Sequence, residues 1–141
     1  MPSSAYSKTP LAKKLGIKSG FKVKLINAPV HYFDLFEDLP KDLLINTKTK
    51  HGKNFIHFFV KDVQEFTTRL PSLIGELDPN GMIWVSWPKK SSGVVTDMGE
   101  QMIRDFALAN GLVDIKVCAI DEVWSGLKLV IPLKDRKAIQ R

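Results

Sequence analysis

Phe55-Ile56-His57-Phe58-Phe59-Val60-Lys61-Asp62 is the stretch on which the fold turns. Its first six residues are apolar but for His57, without the alternation of a strand that has one wet face. Such a run predicts a strand buried on both sides. Asp62 then offers a helix N-cap, with Glu65 three residues on in the capping-box position. Val63, Phe66, Leu70, Leu73, Ile74 and Leu77 form the apolar face of the helix that follows. Pro71 predicts a kink in it. A doubly buried strand feeding an amphipathic helix is the repeating unit of a parallel sheet with helices on both faces.

The same alternation extends in both directions. Upstream, Thr9-Pro10 reads as a helix start, with threonine at the N-cap and proline at N1. The helix covers 11–15 and Gly16 ends it. Residues 22–26 read as a strand. Tyr32, Phe33, Leu35, Phe36 and Leu39 make a helical stripe over 30–39, which Pro40 stops. A short strand at 42–45 and a polar turn at 47–53 follow. Downstream, Pro79-Asn80-Gly81 reads as a turn and 82–87 as a strand, with a loop at 88–95. Asp97, with Glu100 three on, predicts the cap of a helix carrying Met98, Met102, Phe106 and Ala109. Asn110-Gly111 closes that helix. A strand over 113–120, a tight turn at Asp121-Glu122 and a strand over 123–131 complete the chain, the last strand running back antiparallel. The expected fold is α/β: a three-layer, Rossmann-like, mainly parallel sheet with a terminal antiparallel hairpin strand.

With 141 residues, the chain fits one domain, 1–141, with flexible tails expected at 1–8 and 133–141. Its 44% hydrophobic and 26% charged residues are ordinary for a soluble globular protein. The single cysteine, Cys118, excludes an intrachain disulfide and suits a cytoplasmic setting. No apolar run approaches the ~20 residues that span a bilayer, so no membrane partner is expected. The net charge is +6, and Lys8, Lys13, Lys14, Lys18, Lys22 and Lys24 precede the first acidic residue. Lys134, Arg136, Lys137 and Arg141 add to it at the other end. This bias favours anionic partners in general.

Two resemblances attach to particular residues. The order of elements resembles the methyltransferase-like Rossmann fold with its terminal hairpin, shortened by one strand–helix repeat. Leu15-Gly16-Ile17-Lys18-Ser19-Gly20-Phe21-Lys22-Val23 is similar to the lead-in to that family's first strand. Glu76-Leu77-Asp78-Pro79-Asn80-Gly81-Met82-Ile83-Trp84-Val85 is similar to the turn before its fifth strand. In addition, Tyr6 to Gly16, Trp87-Pro88-Lys89-Lys90-Ser91-Ser92-Gly93 and Asp121 to Lys128 resemble an uncharacterised bacterial domain family of unknown function, which implies no activity. The first resemblance implies S-adenosylmethionine as cofactor, but two of that family's features are missing. Its cofactor loop is glycine-rich so that backbone can approach the ligand; here the first strand ends in Asn27-Ala28-Pro29. An acidic residue normally follows the second strand; here Asn46-Thr47-Lys48 stands there. S-adenosylmethionine is on this reading a doubtful cofactor, and the cofactor is unknown.

Open α/β sheets bind ligands beyond the carboxyl ends of their strands. This topology gathers Asn27, Lys61, Trp87, Lys89, Lys90, Ser91, Ser92, Gly93, Asp121, Glu122, Trp124 and Ser125 at that edge. If the last strand lies between its neighbours, the 88–93 loop and the 121–126 turn are adjacent. Lys89 and Lys90 would supply charge to an anion, Ser91, Ser92 and Gly93 hydrogen bonds, and Trp87 and Trp124 an apolar wall. Against this, the lysines could pair with Asp121 and Glu122 and lock the hairpin to the loop. No catalytic or metal-ligating set stands out. Ser86-x-x-Lys89 spans a proline and Ser125-x-x-Lys128 sits in a strand, so neither has the helical turn that serine–lysine chemistry uses. His31, His51 and His57 are scattered, and His57 reads as a satisfied core residue. Cys118 reads as a packed, inert thiol. The expected function is a non-catalytic Rossmann-like protein binding a small anionic ligand or a protein partner at the strand carboxyl edge. The alternatives are a small S-adenosylmethionine-dependent methyltransferase with an atypical cofactor loop, and a nucleic-acid binder using the basic ends; nucleic acid is not the expected partner.

Overall fold

The apolar run forms β3 (Lys53–Phe59), and its alternate side chains supply both cores of the molecule. Ile56 and Phe58 face one layer, while Phe55 and Phe59 face the other, all of them fully buried. The computed structural model describes residues 9–139. Around β3 it arranges α1 (Leu11–Leu15), β1 (Lys22–Ile26), β2 (Leu44–Ile45), α2 (Val63–Glu76), β4 (Leu77–Pro88), α3 (Glu100–Ala109), β5 (Val113–Ala119), β6 (Trp124–Val130) and α4 (Leu133–Arg136). The six strands form one sheet in the order β2-β1-β3-β4-β6-β5. β1, β2, β3 and β4 pair in parallel, and β6 is antiparallel to both of its neighbours. This is the expected three-layer, Rossmann-like fold with its hairpin strand inserted between β4 and β5.

One face of the sheet packs against α2 and α3 through Phe66, Leu70, Leu73, Ile103 and Ala107. The other packs against α1 and a short helical turn at Tyr32–Leu35 through Ala12, Leu15 and Tyr32. Burying one such large apolar side chain contributes roughly 1.5–3 kcal/mol, so the two layers outweigh any single surface contact. Gly16 ends α1 at φ +86°, where a glycine avoids the Cβ clash of the left-handed region.

Several local expectations give way to long-range contacts. The stripe at 30–39 yields only the Tyr32–Leu35 turn, with Phe33 exposed. So short a segment gains little as an isolated helix, and tertiary contacts pull on it from two sides. Tyr32 Oη meets His57 Nδ1 at 2.9 Å, and Asp38 accepts from the Ala12 and Lys13 amides at 3.0 Å each. Asp38, not Thr9, thereby caps α1, and Pro10 occupies the N-cap position. Asp62 caps α2 as expected, accepting from the Glu65 amide at 2.8 Å. Asp97 caps the same helix rather than α3, accepting from the Val63 amide at 2.8 Å. The α3 N-cap is Gly99, and Glu100 instead pairs with Arg104 at 2.6 Å.

Pro79-Asn80-Gly81 is likewise not a turn between elements. It bulges within β4, whose register to β3 passes from Lys53↔Leu77 to Phe55↔Met82. A Cβ on Gly81 would stand 2.7 Å from the Lys53 carbonyl oxygen, so only glycine lets the backbones approach there. At the C-terminus, read from the sequence as a tail, α4 forms a helical turn, Arg136 Nε donates to the Ile131 carbonyl at 2.8 Å, and Ile139 packs on the core. The expected tail at 1–8 lies outside the described residues. Among the described residues, no helix is long and apolar enough to cross a membrane.

Candidate functional site

β1 leads to β2 on one side and, through the chain that follows, to β3 on the other. The crossover between β1 and β3 is where an open α/β sheet presents a crevice at its carboxyl edge. The end of β1 is shaped by Asn27, which takes φ +57°, and the end of β2 by Asn46 at φ +54°. Asparagine is one of the few residues besides glycine that tolerates the left-handed region. Both side chains then tie adjacent strands together. Asn46 Oδ1 accepts from the Leu25 amide at 2.9 Å. Asn27 Nδ2 donates to the Phe59 carbonyl at 3.0 Å and to Glu65 Oε2 at 2.9 Å.

A cleft of about 410 Å³ opens at this crossover, lined by Asn27, Pro29, Phe59, Val60, Lys61, Asp62, Glu65 and Trp124. Phe59 and Trp124 meet edge to face at 5.0 Å between ring centroids and form its aromatic floor. Asp62 and Glu65, from the first turn of α2, bring two carboxylates to it, and Lys61 one ammonium. On the other side of Asn27 a second cleft of about 410 Å³ is lined by Lys24, Leu25, Ile26, Asn46, Thr47 and Arg69. Asn27 is the shared wall between the two.

Beneath the floor lies a buried polar row. His57 is fully buried, with Nδ1 at 2.9 Å from Tyr32 Oη and Nε2 at 2.7 Å from Ser86 Oγ. Its ring stacks on Phe59 at 4.2 Å. Burial pushes the imidazole down to about 3 and the Tyr32 phenol well above its ordinary range. Both groups are therefore neutral at physiological pH. His57 is the satisfied core residue that its apolar strand suggested.

The residues picked from the sequence fall into two groups. Asn27, Lys61 and Trp124 line the crossover cleft. The others build the adjoining hairpin and loop, which are adjacent as expected, with β6 between β4 and β5. Lys89 donates its amide to the Val123 carbonyl at 2.7 Å and its ammonium to the Asp121 carbonyl at 2.6 Å. The ammonium thereby latches the loop to the backbone of the hairpin turn. Asp121 Oδ1 accepts from the Val123 and Trp124 amides, both at 2.8 Å, and shapes the turn. Ser92 Oγ donates to the Lys89 carbonyl at 2.7 Å and accepts from the Val94 amide at 3.1 Å. Gly93 closes the helical turn Lys90–Ser92 at φ +75°. Lys90, Ser91 and Glu122 are exposed, and Ser125 is half-buried opposite Trp87.

The tryptophan wall is a correction. Trp87 packs in the layer beneath α2 and α3, and Trp124 in the layer on the other face. Trp124 pairs with Pro88, one residue on from Trp87, and neighbouring strand residues point to opposite faces. The two rings cannot bound one ligand. The residues the sequence reading passed over are Pro29, Phe59, Val60, Asp62 and Glu65. Asp62 and Glu65 were visible as a helix cap, and the crossover rule would have drawn attention to the ends of β1 and β3 together.

Cys118 is buried, and burial raises its thiol above the usual range. His31 Nε2 lies 3.4 Å from Asp121 Oδ2 on the exposed side of the hairpin turn.

No protein-family model matches the chain, and no curated protein matches it significantly. The resemblance to an uncharacterised bacterial domain family gains no support from that comparison. Solved structures do match. One is a magnesium protoporphyrin IX methyltransferase from Synechocystis PCC 6803 with bound SAM, at 13% identity and a TM-score of 0.60, covering 86% of this chain and 76% of that one. The same enzyme with bound SAH gives 10% identity and a TM-score of 0.59, covering 86% and 79%. A protein of the NADB-Rossmann superfamily from Streptococcus agalactiae gives 8% identity and a TM-score of 0.50, covering 97% and 74%. At these identities the likeness is one of fold. It still overturns the reading of S-adenosylmethionine as a doubtful cofactor, because chains of this fold are solved with SAM and SAH.

Proposed function

We propose that this chain is a small S-adenosylmethionine-dependent methyltransferase whose cofactor lies in the cleft between β1 and β3. The observation that carries the reading is the chemistry of that cleft, at the crossover where this fold offers a crevice. Its volume of about 410 Å³ is within the ~300–1,000 Å³ of small-molecule sites. S-adenosylmethionine is a net cation with a sulfonium, an ammonium and a carboxylate. Asp62 and Glu65 suit its hydroxyls and positive groups, Lys61 suits its carboxylate, and Phe59, Trp124 and Pro29 suit its apolar surface. When bound, the cofactor supplies an electrophilic methyl group. The chain's own part is to bind and orient it, with Asn27 holding β1, β3 and α2 in register around the cleft.

A thermal-shift titration tests this. A ligand at about a hundred times its dissociation constant stabilises the fold by roughly 2.7 kcal/mol. S-adenosylmethionine and S-adenosylhomocysteine should each raise Tm by several degrees, and ATP should not. Glu65→Lys, which reverses one of the cleft charges, should lose the response while circular dichroism remains that of the folded protein. No stabilisation of the wild type by either compound would overturn the proposal.

A further inference from the structure

Four lysines converge on the α1 face of the sheet with no carboxylate among them. Lys116 of β5 and Lys128 of β6 are register partners, so they leave the same face of the sheet. Trp84 pairs with Lys128 in the next strand and donates its indole N–H to the Leu15 carbonyl at 2.9 Å, which fixes α1 over that face. At the end of α1, Lys14 Nζ donates to the Ala119 carbonyl at 3.1 Å, and Lys116 Nζ donates to the Lys14 carbonyl at 2.8 Å. Lys128 Nζ comes within 3.9 Å of where a Cβ on Gly16 would stand. Lys18, two residues beyond Gly16, is near enough to repel the charge on Lys128.

Among the described residues, none of these four forms an ion pair, whereas Lys24, Lys53 and Lys134 each have a carboxylate partner. The backbone carbonyls that pin Lys14 and Lys116 carry only partial charge. Burial, together with the charges of Lys116 and Lys18, lowers the Lys128 ammonium from its ordinary range. Lys128 is thus a half-buried cation beside like charge, which a bound anion would offset.

We propose that Lys14, Lys18, Lys116 and Lys128 form a binding site for a multiply charged phosphate group. The cluster holds lysines only. Arg69, Arg104 and Arg136 are engaged elsewhere, with Glu65, with Glu100 and Asp114, and with the Ile131 carbonyl. Lysine ammonium groups act as separate point charges, and a multiply charged phosphate group can accept from several of them at once. The site lies on the β5–β6 side of the sheet beside α1, apart from the β1–β3 cleft, and does not rest on the methyltransferase reading.

Calorimetric titration with sodium tripolyphosphate at low ionic strength tests it. Wild type should bind saturably, and Lys116→Gln/Lys128→Gln should bind about tenfold more weakly or less. Lys134→Gln, at the paired and exposed lysine of α4, should bind like wild type. Tm of the double variant without ligand should hold or rise, because like charges have been removed. If that variant is unfolded, Lys18→Gln, at an exposed residue outside the strands, replaces it and should also weaken binding. A short single-stranded RNA separates the sources. Binding of RNA that tripolyphosphate displaces, and that falls steeply with salt, assigns the phosphate to a nucleic-acid backbone. Binding of tripolyphosphate alone assigns it to a small phosphorylated compound. No saturable binding of either probe to wild type, or equal binding by the lysine variants, would overturn the proposal.

Discussion

The end of β1 and the loop after β4 lie along the same carboxyl edge but are built in opposite ways. The loop after β4 is rich in residues associated with ligand binding, Lys89-Lys90-Ser91-Ser92-Gly93, and spends Ser92 on its own backbone and Lys89 on that of the neighbouring hairpin turn. The end of β1 reads Asn27-Ala28-Pro29 and looks inert, yet it borders both clefts of the crossover. The difference teaches that a polar side chain near a sheet edge first serves whatever backbone groups the turn leaves unpaired. What remains for a ligand is set by the space between strands, which is a property of topology.

The largest effect expected concerns the support beneath the cleft. His57 titrates near 6.5 when unfolded and near 3 when folded. Below pH 6.5 the unfolded chain therefore binds the extra proton, and stability falls as pH drops toward 3. The loss should reach about 2.7 kcal/mol by about pH 4.5, two units down at ~1.36 kcal/mol each. Urea denaturation at a series of pH values checks this, and His57→Asn should flatten that part of the profile. A wild-type midpoint that does not move over this range would mean that His57 is not held neutral.

Next in size is Asn27. Asn27→Ala removes two hydrogen bonds and sets a Cβ-bearing residue without a compensating side chain at φ +57°, for a cost of about 2 kcal/mol. Asn27→Gly loses the same hydrogen bonds but not the conformation, and should cost less than Asn27→Ala. The reverse order would show that the left-handed turn is not what Asn27 supplies. Smaller effects separate the two lysines of the other region. Lys89→Ala should cost about 1 kcal/mol, since it breaks the latch to the Asp121 carbonyl. Lys90→Ala, at an exposed position, should stay within about 0.5 kcal/mol. Equal losses at both would remove the contrast between a latch and a solvated side chain.

Local signals in the sequence carried most of the architecture. The unbroken apolar run at β3, the Asp62–Glu65 cap, Gly16 after α1 and Asn110-Gly111 after α3 each act within a few residues, and each is where it was read. The misread places depend on partners far along the chain. Asp38 serves α1 across 26 residues and Asp97 serves α2 across 34, and neither distance leaves a trace in spacing. Of the candidate site, Asn27, Lys61 and Trp124 were found by topology. Trp87 failed because one step along a strand reverses the face, and the hairpin register that decides this is not written in composition.

The most direct test of the central claim is an NMR titration of the ¹⁵N-labelled protein with S-adenosylhomocysteine, following backbone and indole N–H signals. The account predicts saturable shifts at Asn27, Lys61, Asp62, Glu65 and Trp124, the residues of the crossover cleft, with Ser91 and Gly93 unmoved. Shifts confined to residues 89–93, or none anywhere at saturating ligand, would contradict it.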